Sequence, residues 1–323
     1  MLSSPEFKPG RWNERRDPNF GRCGFHLNFF PAKDPEDSPL IVLKGGLGDD
    51  GSHSLGEITE AMIDIGSGEV SIATVGTVRP YDLRKAFKAA FVAEDTSYSR
   101  YLRLKAFNKG AEETERTLRP SAVLYGGQSQ GGVTAIDVAL DRRDKQRESR
   151  KSGLPYGVVT INAPGVYDAM DYEGIDLVSG LFRLVKHVSE GVLSLERKQL
   201  CQLVEKNLRN PLLLLEWGYM IGELRYLKSV GLAEPIQDLR RSHVPVGHIF
   251  HDQDIIEGAA KALKDSRALV LSGTHTTFMK EPEPIALALV SAAKDLVEAP
   301  KKQFEMKKYT PFAVDLGRLA LAA

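Results

Sequence analysis

The stretch Ala122-Val123-Leu124-Tyr125-Gly126-Gly127-Gln128-Ser129-Gln130-Gly131-Gly132-Val133 reads as a strand, a tight turn and the start of a helix. Residues 122–125 are apolar and short, which reads as a buried strand. Residues 130–140 then carry helix-compatible spacing. A sharp strand-to-helix turn needs small residues two before and two after its apex, because the backbone crowds there. Gly127 and Gly131 stand in those positions about Ser129. A serine hydroxyl is a weak nucleophile that needs an accessible position and a partner base, and such a turn supplies the first.

Outward from this turn the chain alternates strand and helix patterns. Strands are predicted over 25–30, 40–43, 70–78, 157–162, 246–250 and 268–271, where apolar or β-branched runs are bounded by Pro and Gly. Helices are predicted over 52–65, 258–263 and 282–297, and an exposed helix over 99–118 with Tyr101, Leu104 and Phe107 at helical spacing. Such alternation indicates an α/β fold, a doubly wound and mostly parallel sheet with helices on both faces. Residues 166–243 lack strand character and are rich in Leu, which marks an inserted helical cap. The expected organisation is a lead-in over 1–18, a core over 19–165 and 244–299, and a tail over 300–323 that packs back on the core.

Composition narrows the function classes. The 323 residues include 43 Lys+Arg and 43 Asp+Glu, so the net charge of zero argues against polyanion binding and hence against a nucleic-acid partner. The polar N-terminus lacks the apolar run of a secretory signal. The most apolar window, 211–224, is interrupted by Glu216 and Glu223 and is too short for a membrane span of about 20 residues. Cys23 and Cys201 are far apart and without metal-like spacing, so both read as reduced and buried. A cytoplasmic protein without cofactor or metal is the resulting expectation.

A serine nucleophile requires a base. His275, in Ser272-Gly273-Thr274-His275-Thr276, follows the last predicted strand, and reactive groups gather in loops at the carboxyl ends of strands in such sheets. An acid must orient the imidazole. Asp254, in His251-Asp252-Gln253-Asp254, is favoured, with Asp252 as the alternative. His248 and His251 lie in or at the end of a strand and read as structural. The oxyanion needs two N–H donors. One is expected from the backbone of Gln130; the other from the glycine turn 44–51, at Leu47 or Gly46. That turn lacks the Lys-Ser/Thr ending of a phosphate loop and the spacing of a dinucleotide fingerprint.

On these residues the chain resembles the α/β-hydrolase superfamily over roughly 20–298. The matching positions are the Gly46-Leu47-Gly48 turn, the Gly127–Gly131 elbow, Asp254 in a Gly-x-x-Asp slot, and His275 in a Gly-x-His turn. The usual His-Gly opening of the oxyanion turn is here Gly45-Gly46, preceded by Lys44, and His251 stands where glycine is common. Ser at the elbow, in place of Asp, points away from epoxide hydrolases and haloalkane dehalogenases; in place of Cys, it points away from dienelactone hydrolases. The resemblance implies a serine hydrolase acting on a carboxylic ester through an acyl-enzyme on Ser129. Thioesterase, amidase and acyltransferase variants share that intermediate, and a non-catalytic binding protein is the alternative of a different class. The expected partner is a small acyl substrate, with an apolar group suggested by Leu212, Leu213, Leu214, Leu215, Trp217, Tyr219 and Met220.

Overall fold

A computed structural model describes residues 6–8, 24–46, 55–78, 96–149, 153–166, 231–254, 265–275 and 277–306. The strands are β1 (Glu6–Lys8), β2 (Gly24–Phe30), β3 (Pro39–Lys44), β4 (Ser71–Val78), β5 (Ala122–Gln128), β6 (Tyr156–Ile161), β7 (Val246–His251) and β8 (Ala268–Leu271). They form one sheet in the order β1-β2-β4-β3-β5-β6-β7-β8. β1 and β2 run antiparallel to their neighbours, and every pairing from β4 to β8 is parallel.

β3, β5, β6 and β7 are buried along their whole length, which is why they read as continuous apolar runs rather than alternating ones. Successive side chains nevertheless serve opposite faces. Leu40, Val42, Val123, Tyr125 and Val158 pack with α2 (Thr96–Leu118), α3 (Gln130–Ser149) and α4 (Ala233–Arg241), through Phe107, Ile136 and Ile236. Ile41, Leu43, Leu124, Val159 and Ile249 pack on the other face with α1 (Gly56–Gly66) and α5 (Glu283–Glu298), through Ile58, Met62, Ile285 and Leu289. The sheet is therefore covered on both faces, as the alternating pattern predicts. Among the described residues, no helix is long and apolar enough to cross a membrane.

Three elements differ from the sequence reading. Residues Glu6–Lys8 of the charged lead-in pair with β2 as a short edge strand. α3 runs to Ser149, past the expected end at 140, because Arg, Lys, Gln and Glu continue a solvated helix after its apolar face ends. α2 is not simply exposed: Leu102, Arg103, Phe107, Ala111 and Thr114 are buried. Of the segment expected as a cap, residues 167–230 lie outside the described residues, as do the helix predicted over 258–263, Cys23, Cys201 and residues 307–323. The first residues of the tail are described, and Phe304 and Met306 are buried against Gly157 and Gly247.

Register delivers the site. Leu43 pairs with Gly126 and Lys44 with Gly127, so the turn leaving β3 and the turn leaving β5 emerge side by side at the carboxyl end of the sheet. β6 and β7 bring Asn162 and His251 to the same end, since Ile161 pairs with Ile249.

One buried histidine of this core makes stability depend on pH. His248 is fully buried, with Thr160 Oγ1 2.9 Å from Nδ1 and Arg240 Nη2 3.1 Å from Nε2. Burial, and then the Arg240 charge, holds its pKa down to about 3 from the ordinary imidazole value of 6.5. The unfolded chain therefore takes up a proton below about pH 6.5 that the folded chain refuses. Stability from this residue is complete above that pH and is lost as pH falls toward 3. The unfolding free energy of the wild type is expected to drop by about 1.4 kcal/mol per pH unit for this histidine between pH 6 and 4. Urea titrations of wild type and His248→Gln check it: the variant should show a shallower acid slope.

Candidate active site

The site begins with the turn at Ser129. Its φ is +53°, in the left-handed region that a non-glycine residue enters rarely and at a cost of order 1–3 kcal/mol. Bonds on both sides hold it there: Ser129 N–H donates to the Ile161 carbonyl at 2.7 Å, and Gly132 N–H to the Ser129 carbonyl at 2.9 Å. The flanking glycines are required by close approach. A Cβ on Gly127 would lie 2.1 Å from the Gly131 carbonyl carbon, and one on Gly131 would lie 2.1 Å from the Lys44 carbonyl oxygen. Both obstacles are backbone, which cannot swing aside. Gly127→Ala is accordingly expected to lower stability by about 1–3 kcal/mol, read from the midpoint of urea denaturation.

His275 and Asp254 meet next to this turn. His275 Nδ1 is 2.7 Å from Asp254 Oδ2. A carboxylate only accepts, which assigns the ring proton to Nδ1 and leaves a lone pair on Nε2. That nitrogen faces the elbow: it lies 3.0 Å from Gln128 Nε2, whose amide N–H donates to it. Ser129, Asp254 and His275 are 8, 6 and 8% exposed, so the three sit in a setting poor in water, where charge interactions are strong. Asp252 is exposed, and its Oδ1 accepts the Gly273 N–H at 2.9 Å. It shapes the loop that leads to His275, while Asp254 meets the ring.

The expected oxyanion donors divide. Gln130 opens α3, and the first N–H groups of a helix have no carbonyl within the helix to accept them. Gly46 lies against the elbow, since a Cβ on it would be 3.2 Å from Ser129 Cβ. Leu47 is outside the described residues.

Three further residues organise this place. Asn162, at the end of β6 with φ +48°, accepts the His251 N–H at 3.0 Å through Oδ1. Its Nδ2 lies 2.9 Å from His251 Nδ1 and donates to the His275 carbonyl at 3.3 Å, which ties the loop carrying His275 to the sheet. Burial holds His251 down to about 4, with Asp254 opposing that shift. It is therefore a neutral structural partner near neutral pH, as its strand position suggests. Gln128 was hidden in the sequence as an unconstrained position of the elbow. Arg103 is 1% exposed and reaches the glycine turn from α2: Nη2 donates to the Gly45 carbonyl at 2.7 Å and Nη1 to the Gly46 carbonyl at 3.2 Å. Its position on a charge-rich helix gave no sign of this. Among the described residues, no group of three or more His, Cys, Asp or Glu side chains is arranged to hold a metal ion.

No protein-family model and no curated protein matches the sequence. Among solved structures, the chain is similar to the epoxide hydrolase VrEH1 from Vigna radiata, with a TM-score of 0.50, 12% identity, and coverage of 90% of this chain and 98% of that one. It is also similar to VrEH2, with a TM-score of 0.51, 10% identity, and coverage of 90% and 98%. At identities this low the likeness is one of fold.

Proposed function

Because the chain has the α/β-hydrolase fold, we propose that it is a serine hydrolase that cleaves a carboxylic ester through an acyl-enzyme on Ser129. The observation that carries this reading is the 2.7 Å contact of His275 Nδ1 with Asp254 on the far side of a ring whose other nitrogen faces the elbow. A fold alone hosts many chemistries, and the site must supply the function.

Ser129 Oγ attacks the acyl carbonyl while His275 Nε2 removes its proton. Asp254 keeps the ring in the tautomer that this requires and stabilises the imidazolium. Negative charge then collects on the former carbonyl oxygen, where the Gln130 N–H and a donor from the Gly45-Gly46 turn receive it. His275 returns the proton to the leaving alkoxide, and water releases the acyl group by the reverse sequence. The Gln128 amide occupies the lone pair that this chemistry needs, so substrate entry displaces it from Nε2.

A serine at the elbow also points away from epoxide hydrolysis. The resemblance implies an aspartate there in epoxide hydrolases, and an alcohol nucleophile gives an acyl-enzyme instead of an alkyl ester of the protein. The apolar residues between 212 and 220, outside the described residues, favour an apolar acyl or alkyl group on the substrate. Quenching the protein with acid shortly after mixing with p-nitrophenyl acetate tests the proposal: an acetyl group should appear on the Ser129 peptide by mass spectrometry. Turnover without any acyl adduct on that peptide would sink it. Parallel rates on matched esters, thioesters and amides then rank the acyl classes.

A further inference from the structure

We infer that Arg103 is a positioning residue for the oxyanion donors, and that it holds the two donor-bearing segments in one fixed relation. The inference rests on the acyl-enzyme reading of Ser129 above. Arg103 lies on α2, far in sequence from either segment, yet it is 1% exposed. Its Nη2 donates to the carbonyls of Gly45 at 2.7 Å and Gly46 at 3.3 Å, and its Nη1 to Gly46 at 3.2 Å. Its Nε approaches Thr134 Oγ1 at 3.5 Å, and that hydroxyl donates to the Gln130 carbonyl at 3.1 Å. One guanidinium thus touches the glycine turn after β3 and, through Thr134, the first turn of the helix after the nucleophile.

Peptide geometry turns these contacts into a statement about the reaction. A trans peptide is planar and sets its N–H opposite its C=O. Holding the Gly45 carbonyl therefore fixes the direction of the Gly46 N–H. That N–H is one of the groups from which the second oxyanion donor is expected. The need for such a clamp follows from the residues. Gly45 and Gly46 have no side chains to limit rotation, and glycine backbone is the most permissive of all. A peptide free to rotate presents its carbonyl to the developing oxyanion as readily as its N–H, and a donor has value only when it is fixed before charge develops. A guanidinium suits this task because its planar fork meets two acceptors at once. Lysine, a single point of charge, meets one position less rigidly.

The role predicts a loss in the transition state with little effect on ground-state binding. Arg103→Met is expected to lower kcat for a p-nitrophenyl ester by about 10- to 100-fold, less than or comparable to removal of a donor outright. KM should stay near that of the wild type. The Ki of a trifluoromethyl ketone, whose adduct with Ser129 carries the oxyanion, should rise by the same factor as kcat/KM falls. Arg103→Lys keeps a buried cation, guards against a variant that fails to fold, and should recover part of both losses. The pH profile of kcat/KM should keep its shape in both variants. The inference is overturned if folded variants match the wild type in kcat. It is also overturned if kcat falls while the ketone binds as tightly as before. A wild type that hydrolyses no ester and forms no ketone adduct contradicts the Ser129 reading itself, and takes the inference with it.

Discussion

Replacing Ser129 with alanine is expected to lower kcat for p-nitrophenyl ester hydrolysis by about 10⁵-fold, leaving the residual rate that oxyanion donors and substrate binding sustain alone. On the proposed reading the effect is large because the attacking hydroxyl is placed by backbone. Ser129 owes its position to a left-handed φ, to its own N–H on the Ile161 carbonyl, and to glycines packed against backbone on either side. Alanine and serine bear a similar cost at that φ, so the melting temperature should change little. The loss would then be one of chemistry. Steady-state rates, with thermal melts of the same samples, check both halves of this expectation. A rate within tenfold of the wild type would assign the chemistry to another residue.

Asp254→Asn is expected to lower kcat by about 10⁴-fold while leaving the fold intact. The substitution keeps the shape of a buried side chain at 2.7 Å from His275 Nδ1. It also offers the ring an amide donor, which selects the tautomer with the proton on Nε2. A base in that state has no lone pair for the serine proton. The imidazolium formed during reaction also loses its counter-charge. Asp252→Asn should cost far less, because that exposed carboxylate meets the Gly273 N–H and not the ring. Comparison of the two variants under saturating substrate decides between the acids. Equal losses, or a larger loss at Asp252, would reverse the assignment.

The positions of most strands were legible because each is written in a short segment, and the candidates Ser129, Asp254 and His275 were named from the same segments. Buried parallel strands such as β3 and β6 announce themselves as uninterrupted apolar runs. Ser129, Asp254 and His275 each follow such a run, and a loop after a strand is confined to one end of the sheet. Asp254 was favoured over Asp252 from its slot in the loop, but the difference between them, Asp254 against the His275 ring and Asp252 on the Gly273 N–H, is set by the tertiary fold. Arg103 was further out of reach. Arg100 and Lys105 lie near it on α2, its own charge suggests solvent, and its contacts at Gly45 and Gly46 depend on how a helix and a turn meet across the sheet end. Gln128 was invisible for a related reason. The elbow pattern constrains its neighbours and leaves its own side chain open, so nothing local points it at His275 Nε2. The edge strand Glu6–Lys8 lacks an apolar run altogether and is held by pairing with β2.

On the proposed function the fold activates Ser129 as a nucleophile. A fluorophosphonate probe reacts with a serine only when a base withdraws its proton and donors receive the charge, so it reads activation independently of any substrate. The native protein should be labelled stoichiometrically on the peptide carrying Ser129, with labelling abolished by heat denaturation and slowed strongly by Asp254→Asn. A native protein that stays unlabelled, or that is labelled at another residue, would contradict activation of Ser129.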